Sequence, residues 1–181
     1  MPREFKYACV DLALEVRQVF DPTSIPKDGK PSAHIITGPV ASGKTTYRRR
    51  YRTKGYVVLD AGEIFLSLCC GRYFDFPSGV FRDEIEWVGL QIAKTAIVEG
   101  RNLVCELNGL SCSVERLEAL LERFLGRGYR MTFEYIHVDP QEGWRRNVTR
   151  SSDCISSVYT DKYHWEWLYD ALSDDIVRPT A

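Results

Sequence analysis

Short apolar runs alternate along this chain with longer stretches whose apolar positions recur every three or four residues, the signature of strands alternating with helices. Residues 4–20 place Phe5, Cys9, Leu12, Val16 and Phe20 at helical spacing, and Asp21-Pro22 ends that helix. A surface connection with Pro26, Asp28-Gly29 and Pro31 leads to the first apolar run, residues 34–37. A glycine-rich turn follows, then a short helix over 45–52 with a very basic outer face, stopped at Gly55. Tyr56-Val57-Val58-Leu59 reads as a buried parallel strand ending at Asp60.

Residues 61–68 are expected to be helical, and 69–79 to make a longer excursion, either a loop anchored by its own aromatics or a cover over a ligand, with Arg72 or Arg82 available to an anion. A helix over 83–99 buries a stripe of Ile85, Val88, Ile92, Ala96 and Val98, and Gly100 stops it. The third strand, residues 102–105, ends at Glu106 and Asn108; Ser111 or Ser113 caps a helix over 114–124. Residues 129–138 form the fourth strand, and Asp139-Pro140 turns it outward. An arginine-rich helix over 141–150, an aromatic helix over 159–172 and a short edge strand at Ile176-Val177 complete the chain. Crossovers of this length are right-handed βαβ units, so the pattern predicts an α/β fold: a doubly wound parallel sheet in three layers. The division expected is an N-terminal helical extension over 1–32 and one α/β domain over 33–181.

Composition changes this picture little: 181 residues, 44% hydrophobic and 27% charged, suit one soluble globular domain. The net charge of −1 conceals basic segments at residues 44–54 and 145–150 and an acidic tail, an asymmetry that suits anionic substrates or solvated helix faces. Six cysteines without C-x-x-C spacing predict no zinc site and reduced thiols. No apolar run approaches the ~18 residues of a membrane span, and there is no signal-peptide pattern, so a cytoplasmic protein is expected.

The chemistry centres on Gly38-Pro39-Val40-Ala41-Ser42-Gly43-Lys44-Thr45-Thr46, which fits G-x-x-x-x-G-K-[ST] in full. A turn that wraps backbone N–H groups around phosphate oxygens needs the freedom of Gly38 and Gly43, and it feeds a helix whose positive dipole end faces the anion. Lys44 reaches the β- and γ-phosphates, the Thr45 hydroxyl takes one Mg²⁺ position, and Thr46 is a donor for the α-phosphate. Asp60 and Glu106, at strand carboxyl ends, stand where open α/β sheets place ligands. Phosphoryl transfer asks for one carboxylate to orient the acceptor hydroxyl and another to hold metal waters. Asp60, with Glu63 as rival, suits the first role, and Glu106 suits acceptor or metal-water contact; Asp60 is equally placed to cap the next helix. Arg146 and Arg150 share a helical face and form a lid over the phosphates, with Arg145 pointing elsewhere. His34, His137 and His164 read as structural, and Trp144, Trp165 and Trp167 as packing under the lid.

The order of these pieces, ending in Val138-Asp139-Pro140 and the R-x-x-x-R of Arg146 and Arg150, resembles the zeta-toxin and polynucleotide-kinase branch of P-loop kinases over residues 33–170. The resemblance implies an ATP- or GTP-dependent kinase acting on a hydroxyl: the sugar of UDP-N-acetylglucosamine for zeta toxins, a 5′-hydroxyl end for polynucleotide kinases. In both families an aspartate just after the second strand is the base, usually with an arginine three residues later. The register here puts Gly62 and Phe65 at those positions, while Asp60-Ala61-Gly62 resembles the Asp-x-Gly of nucleoside-monophosphate kinases. The expectation is therefore a Mg²⁺-dependent phosphotransferase with a nucleotide-like or sugar-nucleotide acceptor. A polynucleotide 5′-kinase, with Arg48, Arg49, Arg50 and Arg52 on the phosphate backbone, is the alternative. A nucleotide-binding module that engages a protein partner through residues 4–20 is a third.

Overall fold

A computed structural model describes residues 16–17, 19–52, 54–68, 82–107 and 114–149. In chain order its elements are β1 (Ser32–Thr37), α1 (Lys44–Arg52), β2 (Val57–Asp60), α2 (Ala61–Leu68), α3 (Arg82–Val98), β3 (Leu103–Glu106), α4 (Val114–Leu125), β4 (Arg130–Tyr135) and α5 (Pro140–Val148), with a single 3-10 turn at Pro22–Ser24 before β1. The strands run β2-β3-β1-β4, all parallel. Each strand-to-strand connection thus carries at least one helix, the arrangement expected of a covered parallel sheet. The predicted helix over 159–172, the strand at Ile176-Val177, the excursion over 69–79 and most of the N-terminal helix lie outside the described residues.

The register decides where the chemistry gathers. Asp60 of β2 is level with Glu106 of β3, and Glu106 is level with Ile36 of β1. Three strand ends therefore finish flush, one residue short of the turn that leaves β1 at Thr37. The Leu107 amide donates to the Ile36 carbonyl at 2.9 Å and the Ile136 amide to the Thr37 carbonyl at 2.8 Å, which extends the pairing to the rim.

Beneath that rim the sheet is packed on both faces. Val57, Phe65, Leu68, Val88, Ile92, Leu103 and Phe124 belong to one buried cluster; Ile36, Val58 and Val104 form the other, under Tyr47, Tyr51 and Tyr56. Burying a side chain of this size contributes about 1.5–3 kcal/mol, so α2 and α3 are held chiefly by these contacts. On α3 the buried stripe is Val88, Ile92, Ala93 and Ala96; Val98 is 70% exposed, a correction to the expected stripe, because it lies two residues past Ala96, off the 3.6-residue face. Tyr129 joins α3 to α4: its ring meets Phe124 edge-on, and its hydroxyl donates to the Ala96 and Arg101 carbonyls, each at 2.8 Å.

Strand β4 is shorter than the apolar pattern of 129–138 suggests, ending at Tyr135. Asp139-Pro140 does more than turn the chain: Asp139 accepts from the Gln141 and Glu142 amides and caps α5, with Pro140 in the first turn. Val16 is buried in the main cluster and Val19 and Phe20 pack against it, so the end of the predicted N-terminal helix rests on the core. Among the described residues no helix is long and apolar enough to cross a membrane.

Candidate active site

The glycine-rich turn between β1 and α1 has the backbone of an anion cradle. Gly38, Ala41 and Gly43 all take positive φ, at 143°, 65° and 101°. Gly38 is required twice over, since a Cβ there would sit 2.5 Å from the Ile136 carbonyl oxygen. Ala41 is the one non-glycine residue with positive φ among the described residues, a small strain held in place at the functional turn. Ser42 Oγ is buried with no hydrogen-bond partner among the described residues, a polar atom left for a ligand. The Lys44 ammonium, itself buried, donates to the Gly38 and Pro39 carbonyls, each at 2.9 Å, and so lies along the loop it serves.

The acids stand opposite. Asp60 ends β2, Glu63 lies in the first turn of α2, and Glu106 ends β3. One residue joins them. Arg48, on the α1 turn that follows the loop, donates from Nη2 to Asp60 at 2.7 Å, from Nη1 to Glu63 at 3.0 Å and from Nε to Glu106 at 2.8 Å. The other Glu106 oxygen accepts from the Thr45 hydroxyl at 3.1 Å. A continuous hydrogen-bonded path thus runs from the phosphate loop through Glu106 and Arg48 to Asp60 and Glu63.

Arg48 does not lie on the basic outer face of α1 with Arg49 and Arg50, a correction to its expected place on a polynucleotide backbone. It is fully buried while Arg49 and Arg50 are exposed, because a helix that begins at Lys44 turns its fifth residue back over the strand ends. Hydropathy does not distinguish it within the Arg48-Arg49-Arg50 run. The usable signal was its spacing: it stands four residues after Lys44 and three after Thr45, on the face the loop presents to the acids.

Burial sets the electrostatics of the cluster. Asp60 is pushed up to about 6 by desolvation and by the charge of Glu106, against the pull of Arg48 and the Gly62 amide. Burial works against the Arg48 charge, yet Asp60, Glu106 and Glu63 together hold it above the ordinary arginine value. Asp60 also accepts from the Gly62 amide at 2.9 Å, so its two oxygens serve different ends, one capping α2 and the other meeting Arg48. The positions matched to the family base and its arginine, Gly62 and Phe65, are both buried in α2, Phe65 at 1% exposure in the core.

On the far side, α5 packs against the loop. Val138 is buried under Val40 of the loop and Trp144 of the helix, which gives Trp144 the packing role expected of it. Arg146 Nη1 lies 3.5 Å from the Ala41 carbonyl, and its Nε donates to Glu142 at 2.7 Å. Arg145 is turned outward, 65% exposed and paired with Glu142. Of the predicted lid, Arg146 is therefore at the loop, and Arg150 lies outside the described residues. His34 is structural: Nε2 is 3.0 Å from the Tyr56 hydroxyl, and Nδ1 contacts Thr132. Beside Asp60 and Glu63 a cavity of about 380 Å³ opens between β2 and α2, lined also by Phe20, Tyr56 and Ser67.

This architecture is a P-loop kinase-like α/β fold. It is similar to a chain of the PezAT chromosomal toxin–antitoxin system of the human pathogen Streptococcus pneumoniae, at 20% identity and TM-score 0.63, over 82% of this chain and 62% of that one. A chain of the Pnkp1/Rnl/Hen1 RNA repair complex is similar at 16% identity and TM-score 0.59, over 80% of this chain and 45% of the other. Shikimate kinase from Bacteroides thetaiotaomicron is similar at 16% identity and TM-score 0.50, over 79% and 78% of the two chains. This chain thus spans less than two thirds of the first two. No protein-family model matches the sequence, and neither does any curated protein.

Proposed function

We propose that this chain is a phosphotransferase that moves the γ-phosphate of ATP or GTP to a hydroxyl of a nucleotide-like or sugar-nucleotide acceptor. The observation that carries the reading is the path from Thr45 through Glu106 and Arg48 to Asp60, which joins a donor loop to an acid beside a cavity. The acceptor occupies that cavity with its hydroxyl toward Asp60, which takes the proton, while Glu63 is the alternative base. Lys44, released from the loop carbonyls, and Arg146, from α5, meet the charge that spreads over the transferring group.

The oxygen donors here suit Mg²⁺: a threonine hydroxyl with a carboxylate 3.1 Å from it is hard-oxygen chemistry, and Mg²⁺ is commonly held by one or two protein groups with phosphates and waters. Thr45 would hold the ion and Glu106 would reach it through water; when bound, the ion neutralises charge on the β- and γ-phosphates.

Incubation with γ-labelled ATP or GTP and a panel of nucleosides, sugar nucleotides and 5′-hydroxyl oligonucleotides tests this reading. Transfer to at least one acceptor is expected; nucleotide binding without transfer to any would count against it. A polynucleotide 5′-kinase has one observation in its favour, the exposed Arg49, Arg50 and Lys54 on and after α1. It would show as oligonucleotide binding that weakens steeply with salt.

A further inference from the structure

Four charged groups converge at the strand ends from four different elements: Arg48 from α1, Asp60 from β2, Glu63 from α2 and Glu106 from β3. We propose that Arg48 is a positioning residue for transfer, holding the three acids in one arrangement relative to the phosphate loop from the very helix that the loop starts. The inference rests on the phosphotransferase reading for its consequence and on geometry alone for its mechanism.

Three features argue for positioning over stability. First, each donor nitrogen has its own acceptor: Nε, Nη1 and Nη2 reach Glu106, Glu63 and Asp60 at 2.8, 3.0 and 2.7 Å. A planar fork fixes three directions at once, which an ammonium cannot do. Second, the arrangement is a poor way to gain stability, because removing a guanidinium and three carboxylates from water costs much of what their attraction returns, and apolar side chains of similar volume often serve as well. Third, the connection is to moving chemistry. Glu106 is shared between Arg48 and the Thr45 hydroxyl, so any rearrangement of Thr45 as a nucleotide enters the loop is felt at Glu106 and, through Arg48, at Asp60.

Among the described residues the groups that face Asp60 are Arg48, Glu106, Glu63 and the Gly62 amide, so Arg48 supplies the positive charge against two acidic neighbours. Without it Asp60 and Glu63 repel each other and Glu106 in a buried site. The Asp60 carboxyl must then hold its proton to higher pH, and an acid that is protonated or swung away cannot accept the hydroxyl proton.

Two substitutions read this out. Arg48→Lys keeps a charge without the fork, and Arg48→Met keeps the apolar volume without the charge. In Arg48→Lys, kcat for transfer should fall at least about tenfold while the KM for ATP stays within about threefold, since the interaction lost bears on the acids and not on donor binding. Carboxyl ¹³C titration by NMR gives a readout independent of turnover: in Arg48→Met the Asp60 midpoint should move upward, with Asp60→Asn used for assignment. Should Arg48→Met fail to fold, Glu63→Gln removes one negative charge from the fork at the most exposed of the three acids while keeping an acceptor oxygen, and the Asp60 midpoint should then move downward. Wild-type kcat in Arg48→Lys, or midpoints that stay in place in folded variants, would overturn the positioning role. If the wild-type protein transfers phosphate to no acceptor, the functional reading fails, and the titrations still decide whether Arg48 organises the acids.

Discussion

Between Gly38 and Thr45 the chain prepares to bind charge with its own backbone, whereas the acids opposite are brought together by side chains from β2, α2 and β3 that meet on one arginine. The loop is local: its residues are consecutive, and the positive φ of Gly38, Ala41 and Gly43 is written into nine adjacent positions. The acid cluster is nonlocal, its members separated by up to 58 residues and made neighbours only by parallel register. A local device fails when its backbone or its one mobile charge is changed. A nonlocal one fails when the residue that unites it is changed, even though that residue is itself fully buried.

The largest expected effect falls on the local half. Lys44→Ala removes the loop's buried cation, which now spans two loop carbonyls, and transfer should drop by about 10³-fold or more in a γ-phosphate assay. Retained activity would break the comparison at its base, because the loop would then not be the donor site.

Next comes the nonlocal half. If Asp60 is the proposed base, Asp60→Asn should lower kcat by roughly 10²-fold with nucleotide binding preserved, since a base contributes in the transition state and not to donor binding. Its pH behaviour sharpens the test. With Asp60 raised to about 6, transfer should fall as pH drops through about 6, where the acid takes up its proton. Stability moves the other way. A folded-state value above the unfolded carboxyl value means that the native state holds this proton more tightly, so the contribution is full below about 4 and is lost as pH rises through about 6. Thermal melts from pH 4 to 7 should show the wild-type Tm declining relative to Asp60→Asn over that window; a parallel pair of curves would show that Asp60 is not perturbed.

The same division explains what could be read in advance. The strand and helix order, the loop, and the strand-end placement of Asp60 and Glu106 follow from periodicity and from a motif of fixed spacing, both properties of neighbouring residues. The i, i+4 spacing grouped Arg146 with Arg150 as a lid; Arg146 lies 3.5 Å from the Ala41 carbonyl, and Arg150 lies outside the described residues. Arg48 escaped because hydropathy treats Arg48, Arg49 and Arg50 alike, and only the direction of each Cα–Cβ bond on α1 separates a buried clamp from two solvated charges. The overlong fourth strand erred similarly: Ile136 and Val138 are apolar, but Val138 packs on Val40 and Trp144 at the loop and not along the sheet.

A third prediction compares two glycines within the loop. Gly38→Ala forces a Cβ to 2.5 Å from a backbone carbonyl and an unfavourable φ, so it should cost about 1–3 kcal/mol of stability and most nucleotide affinity. Gly43→Ala meets nothing within 4 Å and carries only the strain of φ near 101°, so its stability loss should be the smaller of the two. Denaturant melts and nucleotide titrations on both variants distinguish crowding from conformation; equal losses would mean that φ alone sets the requirement.

The smallest effect separates two neighbouring arginines on α5. Arg146 reaches the Ala41 carbonyl while Arg145 is turned to solvent, yet both donate to Glu142, whose carboxyl their hydrogen bonds hold down at about 2. An exposed ion pair on a helix does little for function or fold, so Arg145→Ala should leave transfer within about twofold and Tm unchanged. Arg146→Ala removes the cation that lies at the loop carbonyl of Ala41 and, on the proposed reading, should lower kcat by about tenfold or more. The double variant should match Arg146→Ala alone, because Glu142 has no further task once Arg146 is gone. If Arg145→Ala proved the more damaging, the outward arginine would be the one that closes over the donor, and α5 would have to roll on Val138 to bring it there.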